Sequence, residues 1–153
     1  MKDHNDLITA YQKYLSNFPD WQELIKNVMP LSVGCGLVYE LGNPLKNFDA
    51  SLAIADMRGI KFAEPHHHPH VEIYFVLQGT GLVVVGGVKQ LVQKDSVVVI
   101  SAHTAHFTIP HKDLVLAVAN TPPFKPENYI VLTEENKAVE FDQAQFEKLT
   151  NQN

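Results

Sequence analysis

Cysteine, arginine and long apolar runs are all scarce in this chain of 153 residues. Cys35 is the single cysteine, so an intrachain disulfide is excluded, and the composition fits a reducing compartment. No segment approaches the roughly 20 consecutive apolar residues that span a bilayer, and the N-terminal residues lack the continuous apolar core of a secretory signal. We therefore expect a cytoplasmic protein with no membrane partner.

Positive charge is also scarce. Lysine and arginine together number 12 against 17 acidic residues, a formal net charge of −5, and Arg58 is the only arginine. Phosphate backbones are bound by clustered lysine and arginine, and the sequence contains no such cluster. Nucleic acid and anionic membrane surfaces are therefore poor candidates as partners, and a small-molecule substrate is the expectation.

The length and an ordinary composition, 45% hydrophobic and 19% charged, predict one domain. Leu7, Tyr11 and Leu15 recur at helical spacing, which predicts an amphipathic helix, and prolines bound a second helix that follows it. A short C-terminal helix is predicted to start near Asp142. The expected division is a helical extension over residues 1–30, a barrel over 31–132 and a C-terminal segment over 133–153.

The middle of the chain is dense in β-branched residues and is punctuated by turn residues. Gly86-Gly87 stands between two valine-rich runs, as in a two-residue hairpin, and Gly79 to Gly81 predicts a further turn. Short strands with short connections and no intervening helix predict an all-β fold, an antiparallel barrel or jelly roll. The predicted strands cover residues 31–41, 51–58, 71–78, 82–85, 88–92, 97–100, 106–109, 114–119 and 129–132.

Histidine is the abundant exception, because all but one of the eight histidines lie between His66 and His111. In an extended chain alternate residues share a face, so His66, His68 and Glu72 should project together while His67 points away. The Pro69 bend leaves the direction of His70 open. Imidazole and carboxylate are ligands for divalent iron, manganese, nickel or zinc. The alternative is a solvated histidine-rich loop, or a polar mouth on the barrel, without metal.

A remote segment adds a fourth candidate ligand. Residues 94–107 predict a strand, a short turn and a histidine, His106, that opens the next strand. Neighbouring antiparallel strands could carry His106 opposite the other three ligands. Three neutral donors and one carboxylate would leave coordination positions open on a six-coordinate ion, which a catalytic metal needs.

These two segments resemble the two motifs of the cupin superfamily. The first motif is matched by His66-x-His68, three residues, Glu72, six residues and Gly79, with Gly59 one residue further upstream than usual. The second is matched in spacing from residue 100 to His106, although Ser101 stands where proline is frequent, and other turn positions also depart from the pattern. The resemblance covers about residues 31–132 and implies a cupin barrel with a metal on these four ligands. The layout is similar to small cupins loosely grouped with mannose-6-phosphate-isomerase-like proteins.

The resemblance predicts where the site lies but not which reaction it catalyses, since cupins include sugar isomerases and epimerases, dioxygenases, decarboxylases, storage proteins and sensor domains. We expect a metal-dependent enzyme, isomerase- or dioxygenase-like, acting on a small polar metabolite. The alternative is a non-catalytic ligand-binding or sensor barrel.

A few further residues are candidates for the same site. Tyr74 and Thr108 have the parity to bind substrate, although residues of this kind are more often part of the core. Arg58 could clamp an anionic substrate, although a lone arginine at a strand end is more often solvated. Cys35 is expected to be a small core residue in an apolar strand. Because edge strands of a small barrel need cover, we also expect a homodimer.

Overall fold

The computed structural model describes residues 3–133 and 142–151. Three α-helices flank a nine-stranded antiparallel sheet: α1 (His4–Ser16) and α2 (Trp21–Ile25) precede it, and α3 (Gln143–Asn151) follows it. The mostly-β fold class, the N-terminal helices and the short C-terminal helix are confirmed. The strands are β1 (Leu31–Val33), β2 (Gly36–Gly42), β3 (Ser51–Asp56), β4 (His66–His67), β5 (Val71–Val85), β6 (Val88–Gln93), β7 (Val97–Ile100), β8 (His106–Thr121) and β9 (Ile130–Val131).

Two long strands, β5 and β8, pair with each other along most of their length and organise the sheet. On its other edge β8 pairs with β3 near its C-terminal end and with β4 at His106. The other edge of β5 pairs with β7 and then with β6. Because each long strand changes partner partway along, the sheet curls into a half-barrel rather than staying flat.

The sequence predicted some turns correctly and others wrongly. Gly86 and Gly87, both at positive φ, form the predicted two-residue hairpin between β5 and β6. The predicted turn at Gly79 to Gly81 is wrong, because β5 continues through it with shifts in register. Gly79 lies against the backbone of Lys112 and Asp113, which leaves no room for a Cβ atom, so this glycine permits a close approach of strands.

The predicted strand over residues 31–41 is also wrong in part. The chain turns at residues 34–35, and β1 and β2 form a hairpin with Val33 paired to Gly36. Cys35 therefore lies in a turn, half-buried, and not inside an apolar strand as expected. The short strand β4, which carries His66, was not predicted at all.

The sheet buries both of its faces. Successive residues of β5 and β8 alternate between a helix face, packed under α1 and α2, and a cavity face inside the half-barrel. On the helix face, Ile73 and Phe75 pack with Leu7 and Tyr11 of α1. The helix face consists of Leu7, Tyr11, Trp21, Ala50, Leu52, Ile54, Ile73, Phe75, Val115, Ala117 and Ala119. The cavity face consists of Ala55, Met57, Ala63, Tyr74, Val76, Val83, Val92, Val98, Ile100, Leu114 and Leu116.

The C-terminal helix α3 packs on a third, smaller apolar cluster. Phe146 meets Phe62 and Phe107 edge to face, with ring centroids 5.1 and 5.0 Å apart. Among the helices of the described residues, none is long and apolar enough to cross a membrane. The division into extension, barrel and C-terminal segment, whose last part lies partly outside the described residues, stays a prediction.

Candidate metal centre

Short strand pairing brings the two remote histidine segments together. β4 is only two residues long, and its His66 pairs directly with His106, the first residue of β8. The chain then bends at Pro69, which lets His68 and Glu72 reach the same space from either side of the bend. Sequence parity alone assumed one continuous strand, whereas the structure reaches the same result with two strands and a bend.

Four side chains converge there, all of them buried. One ligand atom from each of His66, His68, Glu72 and His106 lies within 4.8 Å of the others. Glu72 Oε2 is 3.2 Å from His68 Nε2 and 3.1 Å from His106 Nε2. Ligands of one transition metal, each about 2.0–2.2 Å from it, lie within about 4.5 Å of one another. The cluster therefore needs only a small closure to match a metal's ligand set.

The backbone fixes which nitrogen of each imidazole faces the cluster. His66 Nδ1–H donates to the carbonyl of Glu64 at 2.7 Å, and His106 Nδ1–H donates to that of Thr104 at 2.8 Å. His68 Nδ1–H donates in the same way to the carbonyl of His70 at 3.0 Å. A carbonyl can only accept, so the proton must sit on Nδ1 and the Nε2 lone pair of each ring turns inward.

This arrangement places acceptors against acceptors. The Nε2 lone pairs of neutral His68 and His106 and the carboxylate of Glu72 all accept, yet they lie 3.1–3.2 Å apart in a buried site. Such contacts are stable only when a proton or a cation lies between them. Three imidazoles and one carboxylate are also a donor set that suits divalent transition metals. The residues present therefore fit a metal ion.

The electrostatics of the cluster favour an ionised carboxylate. Burial alone would raise the pKa of Glu72, but His106 and His68, when a proton lies between either ring and the carboxylate, outweigh it and hold that pKa well below its usual range. Burial, with the neighbouring His106, lowers the pKa of His66 to about 3. Glu72 is therefore ionised and His66 neutral at ordinary pH, as metal ligation requires.

The remaining histidines lie outside the four. His67 is half-buried with its ring centroid 6.4 Å from that of His103, in keeping with its opposite parity. His70, whose direction the sequence left open, is buried and stacks on His68 with ring centroids 3.8 Å apart. Within the described residues neither ring nitrogen of His70 has a hydrogen-bond partner. His111 is exposed.

A cavity of about 330 Å³ opens beside the cluster, and His66, His68 and Glu72 form part of its wall. Both predicted substrate-binding residues, Tyr74 and Thr108, line it. Burial, with the nearby charge of Glu72, raises the pKa of Tyr74 well above its ordinary value, so its hydroxyl stays a donor. Thr108 Oγ1 is buried and finds no hydrogen-bond partner in the part of the chain that the structure describes.

Sequence reasoning missed Asn120, which lines the same cavity. Its Oδ1 atom is buried and lacks a hydrogen-bond partner among residues 3–133 and 142–151. Asn120 shares the parity of His106 and Thr108 along β8, so extending the parity argument to the strand end would have found it.

Two other expectations change. Arg58 is not among the described residues lining the cavity; it makes a two-pronged contact with Asp56, at 2.9 and 2.6 Å, and lies over the Trp21 ring. This placement gives no support to the minor alternative that Arg58 clamps a substrate in this cavity. Cys35 does line the cavity, and burial raises the pKa of its thiol to about 11.

Comparison with known proteins agrees with this architecture. The family model for the cupin domain matches residues 58–118. Among curated proteins, none matches the chain significantly. A cupin-2 domain protein from Rhodospirillum rubrum shares the fold with a TM-score of 0.56 and 23% identity, covering 74% of this chain and 76% of its own.

Two more solved structures share the fold. An RmlC-like cupin from Shewanella frigidimarina has a TM-score of 0.52 and 18% identity, covering 72% of this chain and 89% of its own. Pac13 from Streptomyces, in a structure with uridine, has a TM-score of 0.61 and 8% identity, covering 71% and 88%. The match of the cupin domain model across both histidine motifs, together with the shared fold, supports the assignment of residues 58–118 to the cupin superfamily.

Proposed function

We propose that the chain binds one divalent transition metal through His66, His68, Glu72 and His106, and that it is an enzyme acting on a small molecule in the adjoining cavity. The observation that carries the proposal is the inward-facing set of three Nε2 atoms around one buried carboxylate. Iron, manganese, nickel and zinc all suit this donor set.

Different residues of the protein orient the metal ligands and bind the substrate. Backbone carbonyls orient the imidazoles, and Glu72 is buried, with 6% of its surface exposed. When bound, the metal would supply a Lewis acid for substrate oxygens or, if it is iron, a centre for dioxygen. Tyr74 offers a hydroxyl donor beside Glu72, and Thr108 and Asn120 offer unsatisfied polar atoms, which supports a substrate-binding role for all three.

The reaction class divides into an isomerase- or epimerase-like proton transfer and a dioxygenase-like oxidation. A structural neighbour, Pac13, is described as a nucleoside dehydratase, which adds dehydration of a nucleoside as a third reaction to test. All three use a metal or polar groups to polarise a substrate oxygen, so the ligand set alone does not choose among them.

The test begins with metal analysis of protein purified without nickel resin. We expect close to one transition metal ion per chain, and loss of most of it in His106→Ala but not in His67→Ala, which changes a neighbouring histidine outside the four. Metal-loaded protein is then screened for dioxygen uptake, for solvent deuterium exchange into hydroxy ketones, and for turnover of uridine. A chain free of metal contradicts the site; a metal-loaded chain that binds ligands without turnover identifies the ligand-binding or sensor alternative.

A further inference from the structure

The walls of the cavity are mainly apolar, whereas its floor carries the metal donors His66, His68 and Glu72. Away from the metal donors the surface is built from small and aliphatic side chains, including Ala53, Ala55, Met57, Leu116 and Val118. Alanines at three wall positions, the third being Ala63, leave space that larger residues would fill. The lining residues with polar side chains are His66, His68, Glu72, Tyr74, Thr108, Asn120, Tyr129, Cys35 and Glu40.

Charge is distributed just as unevenly. Among the described residues that line the cavity there is no lysine or arginine. Glu40, which is exposed and pairs with Ala53 across β2 and β3, adds a negative charge at the mouth. A phosphate, sulfate or second carboxylate entering the cavity would therefore lose its hydration, meet no cation beyond the metal and face a like charge.

Hydrogen-bonding capacity along the walls is low as well. A polyhydroxylated ligand needs a partner for nearly every hydroxyl that it buries, since each hydroxyl left unpaired weakens binding. Apart from the metal donors and Glu40, the polar side chains of the lining are Tyr74, Thr108, Asn120, Tyr129 and Cys35, and the other side chains that line the cavity are apolar. Hydroxyls spread around a whole sugar ring would therefore face apolar side chains over part of the ring.

We propose that the cavity selects a molecule with one oxygen-bearing polar end, directed to the metal donors and Asn120, and an uncharged, mainly apolar body against the alanine and aliphatic walls. This rests on the proposed metal function and narrows it: the proposal predicts that phosphorylated substrates and polyhydroxylated ones, such as the uridine of the screen above, do not bind productively, and the expected small polar metabolite becomes a ligand that is polar at one end. A volume of about 330 Å³ suits a body of roughly one ring, at the small end of ligand sites.

Three hydroxamic acids test the proposal, because they share one metal-binding group and differ only in the body. Acetohydroxamic acid has a methyl body, benzohydroxamic acid an uncharged ring, and 4-carboxybenzohydroxamic acid the same ring with a charge. Binding to the metal-loaded protein is measured by calorimetry. Benzohydroxamic acid should bind at least about tenfold more tightly than acetohydroxamic acid, since each buried methylene equivalent contributes roughly a factor of four. The 4-carboxy compound should lose at least that tenfold gain.

Two variants locate the effect. Ala53→Leu fills part of the cavity with an apolar group and should weaken benzohydroxamic acid by about tenfold while sparing acetohydroxamic acid. Glu40→Gln removes the exposed charge at the mouth and should strengthen only the 4-carboxy compound, by a few fold. Metal content and melting temperature of each variant, measured first, separate a local effect from misfolding; if Ala53→Leu does not fold, Glu40→Gln still decides.

The outcomes separate the two proposals. A chain that takes up no metal overturns both. A metal-loaded chain that binds acetohydroxamic and benzohydroxamic acids equally, or that binds the charged ring as tightly as the uncharged one, overturns the apolar-body proposal alone and leaves the metal site intact.

Discussion

The helix face and the cavity face of the sheet differ in composition and packing, although the same strands form both. On the helix face, Ile73 and Phe75 of β5 pack under α1 with apolar neighbours and few polar atoms. On the cavity face, their sequence neighbours Glu72 and Tyr74 border a cavity whose polar side chains stay partly unsatisfied. Alternation along a strand is enough to separate the two roles, since each residue faces away from the next.

The two faces contribute differently to the free energy of unfolding: the helix face stabilises the fold, and the cavity face lowers its stability. Close-packed apolar burial on the helix face stabilises the fold by roughly 25 cal/mol per Å² removed from water. The cavity face carries a void, a cluster of facing acceptors and unpaired hydroxyl and amide oxygens, each of which lowers stability unless a ligand or ion completes it. Binding sites commonly show this trade-off between stability and function.

The largest effect is expected on the helix face. Phe75 is 5% exposed, and its ring lies 6.2 Å from that of Tyr11. Phe75→Ala should lower the free energy of unfolding by about 3–5 kcal/mol, as for other large-to-small core changes. Val99→Ala, a change at a position that is 45% exposed, is the control and should cost under about 0.5 kcal/mol. Urea unfolding measures both, and equal costs would contradict the assignment of the helix face as the stabilising core.

The next effect belongs to the cavity face. His106→Ala removes one of four proposed ligands and should weaken metal affinity by more than about 100-fold, exceeding the 10–100-fold typical of residues that only orient a ligand. His67→Ala should change affinity little, because its ring lies outside the cluster. Competition with a chromophoric chelator measures both. Similar losses in the two variants would show that the metal binds to the histidine-rich loop in general.

A smaller effect is expected where the helix layer meets the end of β3. Asp56 is 6% exposed, and the contacts from Arg58 overcome the effect of burial, which alone would raise its pKa, so that the pKa of Asp56 is lowered. Arg58→Met should lower stability by about 1–2 kcal/mol at pH 7, a figure kept small because the Arg58 side chain is 41% exposed.

The sign of the pH dependence follows from that lowered pKa. An aspartate whose folded pKa is below its unfolded value of about 3.9 contributes stability above that pH and loses it as the pH falls further. The difference between wild type and Arg58→Met should therefore be constant from pH 7 to 5 and shrink below about pH 4. Urea titrations at each pH measure it, and a difference that grows on acidification would contradict the ion pair as the cause.

The four residues of the candidate metal centre and one hairpin of the fold could be predicted from the sequence. The shared parity of His66, His68 and Glu72, and the second motif ending at His106, predicted the four residues that the structure brings together. The Gly86-Gly87 hairpin was predicted because two consecutive positive φ values demand residues such as glycine. These features depend on local periodicity and turn chemistry, which sequence carries directly.

The rest depends on contacts between distant segments. Gly79 suggested a turn, but the backbone at Lys112 and Asp113 passes so close that only glycine fits within a continuing strand. The two-residue strand β4 exists because His66 pairs with His106 and His67 pairs with β9, and no periodicity marks so short an element. The apolar character of the cavity walls likewise appears only when strands β2, β3 and β8 come together.

The smallest change in the free energy of unfolding is expected on removing one unpaired hydroxyl from each face. Tyr11 Oη on the helix face and Thr108 Oγ1 on the cavity face are both buried, and neither finds a hydrogen-bond partner in residues 3–133 or 142–151. Tyr11→Phe removes that hydroxyl and Thr108→Val replaces it by a methyl group of similar size, so each should raise the free energy of unfolding of the metal-free protein by about 1 kcal/mol.

Ligand binding should depend on the Thr108 hydroxyl but not on the Tyr11 hydroxyl, because of these two residues only Thr108 lines the cavity. Thr108→Val should weaken benzohydroxamic acid binding to the metal-loaded protein, whereas Tyr11→Phe should leave it unchanged. Urea unfolding and calorimetry on the same two variants measure both quantities. If Thr108→Val lowers stability and leaves binding intact, the hydroxyl is satisfied within the folded protein, and the contrast between a stabilising face and a binding face fails at this residue.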